Sequence, residues 1–527
     1  MVTLADPLHD GDATKAAWTT RNAAEAMPGI TTPLGWTVWY PPCELALRGA
    51  FCDLGGLRRD DVVLPAALDE RFVGVFYGRF AGNIDLMRRM GDQMPGSSGA
   101  AVEEQYFASA RDIPSSRDLT RLPLVVGKLP YSAWRARRRI RELASVTEAW
   151  WAASVVPGAV PDGDGTREVL RDAISRLEVI IRAHTIVSMI GQGTFEQVRR
   201  LCESIQAEGL EFELTTAQDA VHESALINDL WAVAHGRLAM AEFLARHGFH
   251  GPAEGQLAGK SWREDQAPLR ALLDAYRARE APLQSSGATQ RAAAETKLFG
   301  ALGRAGRVRA RLVLRLARSY IPLREVGRAT FLKAFDVARA MCRQIGCELH
   351  ADGVIDDAAD VFYLTLDEVL ATRGGDLRDV VAGRRRTREQ YLTLELPDAW
   401  IGPPVATPIT ATDDGDVGSV EGIAGIGVSP GVAEGRAVVV LDPADPDDLA
   451  DGDILVCRTT DPSWASLFFL VSACVIDIGG AMSHGAIVAR ELGLPCVINT
   501  RVGTRDLRTG DRIRVDGAAG TVTILSR

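Results

Sequence analysis

The chain has 527 residues, of which 46% are hydrophobic and 24% charged, and its formal net charge is −10. A chain of this length exceeds one hydrophobic core, so roughly two to four domains are expected. The charge is spread along the chain rather than gathered in a tail, which argues against nucleic acid as a partner. The longest apolar run, from about Trp464 to Ile476, falls short of the ~20 residues of a spanning helix. No basic amino-terminal stretch precedes an apolar segment, so no membrane association and a cytoplasmic location are expected. Eight cysteines and eight histidines form no CxxC, HExxH or zinc-ribbon pattern. They imply no metal, and the cysteines read as buried or incidental thiols.

In chain order, the first hundred residues contain Pro28, Gly29 and Pro33 in MPGITTPLGW and a strand-like FVGVFYGRF. This predicts an irregular lead-in packed on helices. From about Ser132 to Gln390 apolar residues recur at helical spacing, as at Leu226, Leu230 and Val233, which predicts a largely α-helical region. One glycine-rich break, HGFHGPAEGQLAGKSWRED from His247 to Asp265, gathers His250, Glu254 and Arg263. Either His250 or Glu254 could serve as a general base, although a loop held together by polar side chains would look the same. LREVGR sets Arg324 and Arg328 one helical turn apart, where two guanidiniums can face one phosphoryl group. A solvated helix face has this spacing too. Trp36, Trp39, Trp150, Trp151 and Trp231 are candidates for an apolar substrate pocket or for ordinary core.

Residues 401–420, rich in Pro, Thr, Gly and Asp, read as an extended linker. Beyond it, short β-rich runs surround one helical run: Ala437 to Leu441, Ile454 to Cys457, Cys474 to Ile478, Cys496 to Ile498, Ile513 to Val515 and Val522 to Leu525. The expected fold is therefore multidomain. A large, mainly α-helical domain over 1–400 is followed by a linker and a small α/β domain of β/β/α type over 421–527.

Within the small domain, CVIDIGGAMSHGAIVARELGLPCVI runs from Cys474 to Ile498. The spacing predicts a buried strand to Ile478, a sharp turn at Gly479 and Gly480, and a helix capped by Ser483 that begins at about His484 and ends before Gly493 and Pro495. A helix amino terminus gathers unpaired N–H groups and the positive end of the macrodipole, so it favours an anion on or beside the ring. Neutral imidazole is a competent nucleophile near physiological pH. A lone histidine at a glycine-rich turn is equally what a structural capping residue looks like.

GGAMSHGAIVARELGLPCV closely resembles the phosphohistidine signature of the phosphoenolpyruvate-utilising enzymes. GIGVSPGVAEGRAVVV, DGDILVCRTTDPSW and GDRIRVDGAAGTVTIL resemble the rest of that family's swivelling domain. The resemblance implies that His484 carries a phosphoryl group, that Ser483 tunes it, and that Arg490 lies on the following helix. Gly485 stands where the family usually has Ala, and IDIGG replaces a commoner TDxGG. PGITTPLGW, GRFAGNIDLM and DVFYLTLDE resemble, in order, segments of the substrate domain of rifampin phosphotransferases. There, the LRE pattern near the phosphoryl path implies a role for Arg324 and Arg328. In the GHRxxxE stretch of that domain, Phe249 and His250 replace the usual His and Arg.

Neither an ATP-grasp domain nor a phosphoenolpyruvate-binding barrel is expected in the chain, and there is no GxxxxGK[ST] loop. The resemblance to the split phenylphosphate synthases implies a stand-alone ATP-grasp protein as partner, which brings ATP and Mg²⁺. The expected acceptor is a hydroxyl on a small apolar or aromatic molecule, activated in one variant for dehydration. The alternative is a regulatory or ligand-binding protein that keeps the histidine domain as a docking module.

Overall fold

The computed structural model describes residues 6–21, 27–95, 98–107, 111–114, 120–156, 162–215, 221–277, 287–372, 374–409, 422–441, 449–460, 464–480 and 483–527. In chain order its α-helices are α1 (Pro33–Leu54), α2 (Ile84–Gln93), α3 (Gly99–Phe107), α4 (Leu122–Ser154), α5 (Asp164–Glu203), α6 (Leu210–Thr215), α7 (Val221–Ala234) and α8 (Met240–His247). There follow α9 (Ala267–Arg277), α10 (Gly287–Ala301), α11 (Arg304–Ala351), α12 (Leu366–Ala371), α13 (Arg378–Leu392), α14 (Ala465–Phe468), α15 (His484–Leu492) and α16 (Gly503–Asp506). The strands are β1 (Ala17–Thr19), β2 (Val73–Phe76), β3 (Arg79–Asn83), β4 (Leu394–Glu395), β5 (Ala399–Ile401), β6 (Thr407–Pro408) and β7 (Gly422–Ala424). The rest are β8 (Ile426–Ser429), β9 (Val432–Val440), β10 (Ile454–Cys457), β11 (Ala473–Ile476), β12 (Cys496–Ile498), β13 (Arg512–Asp516) and β14 (Thr521–Ser526). The protein is thus mainly helical with a carboxy-terminal sheet region. Among the described residues no helix is long and apolar enough to cross a membrane.

The chain divides into two compact units, one of Met1–Ile186, Glu254–Gly259 and Val326–Asp413, the other of Val187–Ala253, Lys260–Glu325 and Asp414–Arg527. Of the expected linker, residues 410–420 lie outside the described residues.

In the first unit, the expected irregular lead-in is instead largely regular: a 22-residue helix and a hairpin. Thr32 caps α1 by accepting a hydrogen bond from the Gly35 N–H, Pro33 stands in the first turn, and Gly55 ends the helix at φ 97°. Proline is pre-organised for the first helical turn, so Pro33 marks a start rather than an interruption. Pro41 and Pro42 lie inside the helix and each removes a backbone bond. Burial of Leu34, Trp36, Val38, Trp39, Phe51 and Leu54 offsets that loss, because tertiary packing supplies most helical stability. Glu44, fully buried, holds Arg48 at 2.7 Å and accepts from the Phe72 and Val73 N–H groups at 2.8 and 3.2 Å, joining α1 to β2. The strand-like FVGVFYGRF segment forms not one strand but a hairpin of β2 and β3, the edge of an antiparallel sheet ordered β2-β3-β1-β5. Trp18, Phe76 and Trp400 fill its core, with Phe76 edge-on to both tryptophans at 5.2 and 5.3 Å.

The second unit holds an eight-stranded sheet ordered β7-β14-β13-β9-β10-β11-β12-β8. Strands β9 to β12 run parallel, each in register with its neighbour. Their side chains alternate between two cores. Ile454, Val456, Val475 and Val497 pack with Ile513, Val515 and Val522 on one face. Leu455, Cys457, Cys474, Ile476, Cys496 and Ile498 pack on the other with α15 and with Leu226, Leu230, Trp231 and Tyr276 of α7 and α9. Burial on both faces explains why these strands read as continuous apolar runs rather than alternating ones.

Candidate functional site

The carboxyl ends of the parallel strands β10, β11 and β12 converge on the segment singled out in the sequence, the usual place for a ligand in an open α/β sheet. After β11, Asp477 is buried. Its carboxylate accepts from the Thr500 hydroxyl at 2.6 Å, the Gly503 N–H at 2.5 Å and the Thr504 N–H at 3.0 Å, and from the Thr504 hydroxyl. These bonds fix the end of β11 to the loop after β12, and with it the start of the Gly479–Gly480 turn. A Cβ on Gly479 would lie 3.0 Å from Ser483 Oγ, so a larger residue there would press on the Ser483 side chain. The Ser483 N–H donates to the Gly480 carbonyl at 2.8 Å.

Ser483 is the N-cap of α15, its hydroxyl accepting from the Ala486 N–H at 3.4 Å. His484 is the first residue of that helix. Residues 481–482 and the His484 side chain lie outside the described residues. Gly493 ends the helix at φ 67°, as the sequence predicts. Gly485 has a packing reason: a Cβ there would lie 2.6 Å from both Ile476 Cδ1 and Thr460 Oγ1. The space a side chain would need is filled from the β10 and β11 side.

Arg490 is 8% exposed, and its guanidinium lies over the Phe212 ring of α6 at 5.1 Å. Burial pushes the neighbouring Cys496 thiol up to about 12, with Arg490 pulling the other way.

The remaining candidates are distributed between the units. Arg324 and Arg328 are both half-buried on α11, one turn apart, but Arg324 belongs to the second unit and Arg328 to the first. His250, 3% exposed, belongs to the second unit, its ring 4.1 Å from that of Phe249 and 5.9 Å from that of Trp262, while its carbonyl accepts from the Trp262 N–H at 2.6 Å. Glu254, 3% exposed, belongs to the first, where its carbonyl accepts from Arg339 at 3.0 Å. Trp39 lies beside it, donating from Nε1 to the Gly255 carbonyl at 3.1 Å and packing 5.1 Å from Phe335, whereas Trp36 stacks on Tyr40 at 5.2 Å. Trp151 and Trp231 are buried, and Trp150 carries Arg176 at 4.4 Å.

Sequence reasoning passed over Thr459, Thr460 and Asp477. The Thr459 hydroxyl is buried with no hydrogen-bond partner among the described residues, and Thr460 is 3% exposed against Gly485. A signal was present: both threonines come just after a buried strand, separated from its end by Arg458 alone, where parallel strands present their loops.

Residues 449–520 match the family described as PEP-utilising enzyme, mobile domain, and residues 184–325 match the rifampicin phosphotransferase fourth domain. A rifampicin phosphotransferase of a Streptomyces species is 40% identical over 222 residues, 41% of this chain and 25% of that protein. An uncharacterized phosphotransferase of Bacillus subtilis is 38% identical over 200 residues, 36% and 24% of the two chains. An uncharacterized protein of Mycobacterium tuberculosis is 33% identical over 279 residues, 53% and 30%. The matched stretches thus span about a quarter to a third of these relatives. A solution structure of Enzyme I, 14% identical, covers 65% of this chain and 80% of its own with a TM-score of 0.15, too slight a likeness to argue from.

Proposed function

We propose that this chain is a phosphotransferase component in which His484 carries a phosphoryl group from an ATP-grasp protein, acting in trans, to a hydroxyl on a small apolar or aromatic molecule. The observation that carries the reading is the Ser483-capped helix whose first residue is His484, set at the carboxyl edge of the parallel strands. In the first step an imidazole nitrogen attacks phosphorus, an N–P bond forms, and the P–O bond to the donor's leaving group breaks. The unpaired N–H groups of the first helical turn and the macrodipole favour the added negative charge. In the second step the acceptor oxygen attacks phosphorus and the N–P bond breaks. The hydroxyl proton passes to a base, with Glu254 and His250 as candidates. Arg324 and Arg328 would neutralise charge on the transferring group. ATP and Mg²⁺ belong to the donor protein in this scheme, and the ester is either the product or the leaving group of a dehydration. The fourth-domain and mobile-domain matches support the reading.

The test is transfer of label from γ- and β-labelled ATP to the full chain, alone and with candidate ATP-grasp proteins. Acid-labile label on the wild type but not on His484→Ala, and only with a partner present, is the expected result. Label acquired without a partner would remove the donor in trans. Label that persists in His484→Ala would remove the histidine.

A further inference from the structure

The first unit carries a cleft that the proposed reaction does not use. Helix α4 buries Val125, Ser132, Ala136, Ile140, Thr147 and Trp151 along one stripe. Its other side leaves Tyr131 61% and Trp134 56% exposed, their rings 6.1 Å apart and tilted by 35°. Aromatic rings are large apolar surfaces that proteins normally cover. Both line a cleft of about 480 Å³ between α4, α5 and the end of α1, within the usual range for a small-molecule site.

The charges lining the cleft are not equivalent. Asp53 is engaged by Arg182, through Nε at 2.8 Å and Nη2 at 2.7 Å, which holds that guanidinium in place and leaves the Nη1 donors of this cleft-lining residue uncommitted. Glu142 is engaged by Arg138 at 2.6 Å and lies 3.8 Å from Arg139. Arg135 has no hydrogen-bond or ion-pair partner among the described residues. Against the free donors of Arg135 and Arg182 stands one carboxylate, Glu178. A planar ring can lie on Trp134 or Tyr131, and a carboxylate, sulfonate or phosphate attached to it can meet a guanidinium fork, which matches the geometry of such groups.

We propose that this cleft binds a small flat aromatic anion, held by Trp134 and Tyr131 through its ring and by Arg135 and Arg182 through its charge. The concave form favours a small molecule over a bilayer, and the carboxylates on the wall disfavour a nucleic-acid backbone. The inference does not rest on the proposed phosphoryl transfer.

The experiment is calorimetric titration of the full chain with 2-naphthalenesulfonate. Neutral 2-naphthol and inorganic sulfate are the comparison probes. The expected result is saturable binding at one site, about tenfold weaker for 2-naphthol, weaker still for sulfate, and about tenfold weaker in Trp134→Ala and in Arg135→Ala, with partial recovery in Arg135→Lys. Because both residues are exposed, the melting temperature of the variants should match that of the wild type, separating loss of the site from loss of the fold. Absence of saturable binding at millimolar probe would overturn the proposal. So would affinity that survives both substitutions, or sulfate binding as tightly as the aromatic anion.

Discussion

Replacing Gly485 by Ala opposes two effects whose sizes can be compared. Alanine is a better helix former than glycine by up to about 1 kcal/mol, so local reasoning predicts a more stable protein. The fold predicts the reverse. The new Cβ would lie 2.6 Å from Ile476 Cδ1 and 2.6 Å from Thr460 Oγ1, and those residues are 1% and 3% exposed. Overpacking a closed core costs about 1–3 kcal/mol, so even against the full helix gain the net effect should be a loss of up to about 2 kcal/mol. For a cooperative unit of this size that lowers the melting temperature by up to about 8 °C. Gly493→Ala is the control: nothing lies within 4 Å of its added Cβ and only its φ of +67° resists the change, so its cost is about 1 kcal/mol and backbone in origin. Thermal unfolding of the two variants beside the wild type decides the matter. An unchanged or raised melting temperature for Gly485→Ala would show that Ile476 and Thr460 give way freely, and the packing account of this glycine would fail.

Ser483→Ala should cost about 0.5–1 kcal/mol, the low end for an N-cap because its hydrogen bond is long at 3.4 Å; chemical denaturation measures it. Tyr276 stacks on Phe469 at 5.0 Å and is fully buried, so Tyr276→Ala should cost about 3–5 kcal/mol and speed amide exchange in residues 464–470, read by hydrogen exchange. Burial raises the thiols of Cys43, Cys202, Cys342 and Cys496 from 9.0 to about 12. In the unfolded chain these groups ionise first, so the stability tied to their neutral form is complete below pH 9 and is lost as pH rises toward 12. The denaturant midpoint should therefore fall between pH 8 and pH 10, and at pH 8 a thiol reagent should modify exposed Cys347 well ahead of those four.

In the small α/β region β9 to β14 were readable because their signals are local, whereas the short β7 and β8, with glycines in both, were not. Buried parallel strands are short apolar runs, and the Ser483 cap and the Gly493 terminus follow from backbone chemistry that needs no distant partner. The helical region was readable from period alone. Helix α1 was not, because Pro33, Pro41 and Pro42 look like interruptions until the partners that bury Trp36 and Trp39 are known. Nor was the reason for Gly485, which lies in Ile476 and Thr460, nine and twenty-five residues away in sequence. The polar break at His247–Asp265 could be located but not assigned to one unit: His250 and Glu254, four residues apart, fall on opposite sides of the division.

The short stretch from Trp464 to Leu470 includes five large side chains no more than 4% exposed, and part of their cover comes from α7 and α9, far earlier in the chain. Wetting a few hundred Å² of such surface, at about 25 cal/mol per Å², costs on the order of 5–10 kcal/mol. The lobe that bears His484 therefore has no idle position in water. Its seat on α7 and α9 is a resting place that thermal motion alone rarely vacates, and only a second surface of comparable oiliness could receive it.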